Sequence, residues 1–273
     1  MQSLNSQPLK KLLAQSKFAK RIRCFQKFDT LIVGGTRNVV VIESNVEEIF
    51  IINESQNFES AFYIEENELN ITDSQKALPN GEIKKNLLIT EDVEVDQILD
   101  SLKHHSNERY LNGYSEIDLK SMIVSRSQNK KFNRNKDELS DVTIILTKQV
   151  HRFIGQDNSF LFFYSESQKV CLIKLINNAV YVLDGAVSEL LGIKATDFSR
   201  FTYMSVYNSR GKINNCFVSA SKEAMVRIKS KGNTKLIAQD KSYIEYNCMP
   251  INVDAISLDD SNIKFPLKHN FSG

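Results

Sequence analysis

Residues 170–183, VCLIKLINNAVYVL, decide the reading: two runs of branched and aromatic residues meet at Asn177-Asn178. Such runs suit pleated backbone, and an Asn pair tolerates the left-handed conformations of a tight turn, so the stretch predicts two strands turning at that pair. The C-terminal side continues in the same style. Strands are expected at 142–146 and 160–164, and 225–229, 236–238 and 243–248 read as a meander turning at Lys231-Gly232-Asn233. One short helix over 186–191 interrupts them, with Asp184 to cap its start and Gly192 its end.

Toward the N-terminus, 30–33 and 39–42 flank Gly34-Gly35-Thr36-Arg37, which predicts a β-hairpin. A second strand pair is expected at 49–52 and 61–64, and Pro79-Asn80-Gly81 marks a turn before a strand at 87–89. Three helices are expected around these strands. Pro8 suits the first turn of one that carries Leu9, Leu12, Leu13, Ala19 and Ile22. At about 100° per residue its Lys10, Lys17 and Arg21 gather opposite Leu12 and Ala19. Another opens on Glu91, Asp92, Glu94 and Asp96 and closes on Lys103, His104 and His105, which complements the helix dipole, with Val95, Ile98, Leu99 and Leu102 as its apolar stripe. The third starts at Ser115 with Asp118 as a capping box, runs through Leu119, Met122 and Ile123, and carries Lys120, Arg126, Lys130, Lys131 and Arg134 into the following loop.

The fold class expected is therefore α+β and β-rich, in two similar strand-rich halves that each carry a basic-faced helix. The halves span 1–113 and 114–253, and 254–273 form a polar tail. No residue-level repeat relates the halves.

A chain of 273 residues with 41% hydrophobic and 25% charged residues has the composition of a folded globular protein and not of a disordered or fibrous one. Its apolar runs are far shorter than the roughly 20 residues of a membrane-spanning helix. Met1 to Lys11 lacks the apolar stretch and cleavage site of a secretory signal, so the expected location is the cytoplasm. Cys24, Cys171, Cys216 and Cys248 stand apart without a CxxC pair, which points to reduced thiols. A net charge of +2 leaves attraction to polyanions to local patches.

Catalytic motifs are incomplete wherever they begin. Gly34-Gly35 is followed by strand-forming residues, and neither GxGxxG nor GxxxxGK[ST] is present. Asn38 stands where the glycine-rich edge of a nucleotidyltransferase needs Asp, with no alternating acidic pair to hold two metals. His104, His105, His151 and His269 lack metal-ligand spacing, no GxSxG elbow proposes a serine triad, and Glu65-Glu66 and Asp259-Asp260 read as solvated loop positions. The expectation is a binding protein and not an enzyme, with no metal and no cofactor. The basic residues Lys10, Lys17, Arg21, Lys120, Arg126, Lys130 and Lys131 could track phosphates without reading bases, or could simply solvate exposed helix faces.

A basic-faced helix over 9–25 leading into strands over 29–44, with a meander over 225–253 ending in Ile244-Glu245-Tyr246-Asn247-Cys248-Met249-Pro250, resembles the subunit pattern of sliding DNA clamps of the two-half phage type. The resemblance implies a non-enzymatic polymerase processivity factor: a homotrimeric ring whose basic helices face the duplex DNA backbone, with a DNA polymerase or other replication proteins as partners. Two other functions fit the same elements. One is a structural or adaptor subunit of a larger assembly, possible in a virus and so in host cytoplasm; the other is a PAS-like sensory domain over 160–253.

Overall fold

The computed structural model describes residues 18–24, 27–53, 62–72, 88–94, 97–98, 100–101, 142–204, 213–248 and 250–266. The N-terminal strands are β1 (Phe18–Cys24), β2 (Thr30–Val33), β3 (Asn38–Glu43), β4 (Glu48–Asn53), β5 (Phe62–Glu65), β6 (Glu68–Ile71) and β7 (Leu88–Asp92). After a helical turn around Gln97 and Ile98 come β8 (Val142–Thr147), β9 (Arg152–Gly155), β10 (Phe160–Leu175), β11 (Val180–Ala195) and β12 (Arg200–Met204). The series closes with β13 (Asn215–Ala220), β14 (Met225–Ile228), β15 (Asn233–Ala238), β16 (Tyr243–Tyr246), β17 (Asn252–Ser257) and β18 (Asn262–Lys264).

These strands wind into a solenoid. In each coil a front strand runs into a four-residue corner, a back strand leaves it, and a return leads to the next front strand. The strands of successive coils pair in parallel, each with its counterpart one coil away: Phe160 with Val180, Val180 with Arg200, Arg200 with Met225, Met225 with Tyr243, and Tyr243 with Asn262. The front sheet runs β6, β2, β9, the second half of β10, the second half of β11, β13, β15, β17. The back sheet runs β8, β3, the first halves of β10 and β11, β12, β14, β16, β18.

The corner is the device that repeats. Its second residue takes a positive φ in all seven coils: Gly35 (65°), Asp157 (57°), Asn177 (62°), Asp197 (64°), Lys222 (59°), Asp240 (59°) and Asp259 (57°). Asn, Asp and Gly are the residues that adopt this region most readily. The aspartates also tie successive corners together. The amide of Gly35 donates to Asp157 (3.1 Å), that of Asn177 to Asp197 (3.3 Å), that of Lys222 to Asp240 (2.9 Å) and that of Asp240 to Asp259 (3.4 Å). The Lys222 ammonium donates to Asp197 at 2.5 Å and holds that carboxyl below its ordinary range.

Alternation along each strand sends one set of side chains between the sheets. In β13, Cys216, Val218 and Ala220 are buried while Asn215 and Phe217 are exposed. Both sheets contribute to a single core, in which Phe153, Phe163, Tyr181 and Phe201 stack along the solenoid at centroid distances of 4.7–5.7 Å. Full burial of one such side chain stabilises by about 1.5–3 kcal/mol. A smaller cluster on the outer face of the back sheet joins Ala19, Ile42, Phe50, Ile52, Ile144 and Leu146 to Ile98 of the helical turn.

The α+β expectation with a basic-faced helix in each half is corrected: among the described residues the fold is all strand apart from one helical turn. Residues 18–24 are a strand because Ala19 and Ile22 lie on opposite faces of the sheet, one in the outer cluster and one in the core. A strand buried on both faces can copy the apolar spacing of a helix. Residues 186–191 belong to β11, where Val187 and Leu191 share a face, as i and i+4 do in a strand as well as in a helix. Of the helix expected from Glu91, the described part is the end of β7 and the turn that carries Ile98. The third helix and the 113/114 boundary lie outside the described residues.

The hairpin at Gly34-Gly35 is likewise a corner: β2 and β3 belong to different sheets and pair with β9 and β10. The C-terminal meander is corrected in the same way, since β13 pairs with β15 and β14 with β16, each skipping the strand between. Among the described residues no helix is long and apolar enough to cross a membrane.

Candidate ligand-binding face of the front sheet

The front sheet turns two complete rows of side chains outward. Parallel register sets Thr30, Arg152, Leu172, Gly192, Phe217, Lys235 and Asp254 in one row. Ile32, Ile154, Lys174, Lys194, Ser219, Ile237 and Ile256 form the next. Strands about 4.8 Å apart make each row a ladder of near neighbours.

Gly192 opens a notch in the first row. It stands between Leu172 and Phe217, and a Cβ there would come within 2.9 Å of Leu172 Cδ2. The result is an open groove of about 460 Å³ whose apolar surface includes Ile154, Leu172, Phe217 and Ile237. Phe217 is 52% exposed, unusual for a large apolar side chain.

Cations ring this apolar floor. Arg152, Lys174, Lys194 and Lys235 line the groove, against one lining acid, Glu68. Lys235 is paired with Asp254 at 3.9 Å, whereas Arg152, Lys174 and Lys194 have no acidic partner among the described residues. Lys174 and Lys194 are direct register partners on adjacent strands. Like charges opposite one another on a sheet are destabilising, so a bound anion would relieve strain already built into the face.

Among the described residues no histidine lines the groove, and the Thr30 hydroxyl is committed to Asp29 (2.8 Å). Among the described residues no group of three or more His, Cys, Asp and Glu is placed to hold a metal ion. Cys171, Cys216 and Cys248 are free thiols. Burial pushes Cys171 and Cys216 up to about 12, which leaves them poor nucleophiles.

Of the residues expected to contact DNA, Arg21 alone is described. It lies on β1 of the back sheet, with Nε 3.7 Å from Glu48 and its guanidinium over the Phe50 ring. Lys10, Lys17, Lys120, Arg126, Lys130 and Lys131 lie outside the described residues. Sequence reasoning missed the groove cations. Their one signal is the 20-residue spacing of Lys174 and Lys194, each an outward position in a run that otherwise alternates.

No protein-family model and no curated protein matches this chain. Solved structures that do match include a candidate adhesin from Bacteroides fragilis NCTC 9343, at 11% identity and TM-score 0.44, over 92% of this chain and 98% of that one. A candidate lipid-binding protein from Parabacteroides distasonis ATCC 8503 matches at 8% identity and TM-score 0.36, over 91% and 96%. A candidate adhesin from Parabacteroides merdae ATCC 43184 matches at 11% identity and TM-score 0.38, over 93% and 98%. At these TM-scores and identities the likenesses say nothing about a ligand for this chain. The element order that carried the clamp resemblance is absent among the described residues: β1 takes the place of 18–24 of the expected helix, and β14 pairs with β16, skipping β15, where a meander would pair neighbours. The reading as a DNA-encircling processivity factor, with DNA and replication proteins as partners, is thereby corrected. So is the PAS-like alternative: the described residues of 160–253 form solenoid coils that enclose a packed core. The assembly-subunit alternative rested on the same misread elements and falls with them.

Proposed function

We propose that this chain is a binding protein, not a catalyst, that holds an anionic amphiphile on the outer face of its front sheet. The ligand class is an aliphatic chain ending in a carboxylate or phosphate. One observation carries the reading: three cations with no acidic partner among the described residues, two of them directly opposed, surround an apolar notch. An anionic head would sit between Lys174 and Lys194 with Arg152 beside it, and an alkyl chain would lie across Gly192 between Leu172 and Phe217. The groove volume falls within the roughly 300–1,000 Å³ range of small-molecule sites. The groove chemistry provides charge and apolar area together, which is what an amphiphile requires.

Isothermal titration with dodecyl phosphate, dodecanol and inorganic phosphate tests both halves of the ligand. Dodecyl phosphate is expected to bind at least tenfold more tightly than either fragment. Lys174→Glu with Lys194→Glu should remove that binding. Gly192→Leu should weaken it by filling the notch, since Leu172 Cδ2 is the end of a flexible side chain that can give way. Equal affinity for dodecyl phosphate in the double variant, or no binding by the native chain, defeats the reading.

A further inference from the structure

We propose that the open end of the solenoid is a self-association surface, on which a second copy of this chain docks by the same end through a two-fold axis. The two ends are finished differently. Beyond the coil of β2 and β3 the front sheet continues into β6 and the antiparallel β5. On that side the back sheet continues into β8 and the antiparallel β4, β1 and β7. At the other end, among the described residues, β17 and β18 are bonded on one side only, to β15 and β16.

Among the described residues the core is left uncovered there. Val253 and Ala255 hold the register positions of Thr234 and Leu236, which the preceding coil buries to 4% and 0% exposure. Yet every residue of β17 is exposed, Val253 to 47%, and the flanking Ile251 is exposed to 70%. A repeat array normally closes with a polar cap; among the described residues this end presents Val253 and Ala255 on its inward face.

A body covering it must offer two strand edges at once, about 10 Å apart like the sheets themselves, with apolar side chains between them. The same end of a second copy is built in that way. A two-fold axis along the sheet normal reverses strand direction, so β17 meets β17 antiparallel. Centring the pair on Ala255 sets inward residues against inward residues, Val253 opposite Ser257.

Charge agrees with this placement. The axis lays the corner at Asp259 and Asp260 over the return of the second copy, where the Ile251 amide donates to the Lys231 carbonyl (3.1 Å) and Lys229 lies close by in the chain. None of these four charged side chains makes an ion pair within the described part of its own chain. Isologous pairing of this type is the commonest closed symmetry, and it covers edges that sheets seldom leave bare.

Sedimentation velocity of the full chain at micromolar concentration is expected to show a dimer. Val253→Lys places an inward charge at an already exposed position and should weaken the dimer at least tenfold, with the strand signature in circular dichroism retained. Should that variant fail to fold, Ala255→Cys in the otherwise unaltered chain gives a second reading. Residues at the axis lie within the roughly 7 Å Cα separation a disulfide needs, so mild oxidation should trap a covalent dimer that the native chain does not form. A native monomer throughout, as another segment of the chain folded over this end would give, overturns the proposal. So does a dimer that Val253→Lys leaves intact or that Ala255→Cys fails to trap.

Discussion

Gly185 and Gly35 both sit at positive φ, 112° and 65°, for different reasons. At Gly185 a Cβ would lie 1.8 Å from the Ser165 carbonyl oxygen of the neighbouring coil, a contact no rotamer can relieve because both atoms are fixed by backbone. Gly185→Ala is expected to cost about 3 kcal/mol or more in a urea titration. Gly35 instead occupies the column that Asn177 and four aspartates fill without strain, so Gly35→Asn should stay within about 0.5 kcal/mol of the native chain. Asn177-Asn178 and Gly34-Gly35 announced turns correctly from the sequence. What they could not announce is the kind of turn, because a left-handed residue serves a hairpin and a solenoid corner equally well.

The strands were legible as elements. Residues 30–33 are β2 as read, and 142–146, 160–164 and 180–183 fall inside β8, β10 and β11. Their partners were not legible, since alternation satisfies a hairpin and two facing sheets alike, and only long-range register separates them. The inward faces carry a testable property of their own. Cys171 and Cys216 flank Leu191 in one buried row of the front sheet. Folding holds both thiols at about 12 against an ordinary 9.0, so the folded chain keeps these protons more tightly than the unfolded one. That contribution is complete below pH 9.0 and drains as pH rises toward 12. Melting between about pH 8 and pH 10.5 should therefore fall less steeply in Cys171→Ala with Cys216→Ala than in the native chain. Parallel slopes would show that the buried row does not govern alkaline stability.

At the scale of the whole molecule the decisive feature is a repeat that sequence reading passed over. The corners at Asp157, Asn177, Asp197, Lys222, Asp240 and Asp259 recur at steps of 20, 20, 25, 18 and 19 residues. Neither the step nor the side chain is constant, so no fixed period appears; what recurs is a conformation. The candidate groove was hidden for the same reason, because Arg152, Lys174 and Lys194 become neighbours only when coils stack. Stacking also makes coils removable units. Asn233 and Asn252 are register partners, so deleting 233–251 brings Asn252 to the place of Asn233 and should leave a chain that still folds, with a lower melting temperature. Deleting 233–250 shifts β17 by one residue and turns Val253 and Ala255 outward, so that chain should lose its last coil and melt at a lower temperature than the 233–251 deletion.

The first coil brings this logic into the time of synthesis. β3 pairs with the first half of β10 across 122 residues, Asn38 with Phe160, although the two strands lie side by side in the finished sheet. At about 5–20 residues per second, β3 leaves the ribosome roughly 6–24 s before this partner exists. The coils from β10 onward need only their immediate successors. The newborn chain therefore carries β3 without either parallel neighbour, β8 or β10, for over a third of its elongation, and the interval in which it is open to a chaperone, or to another nascent chain, is set by translation speed.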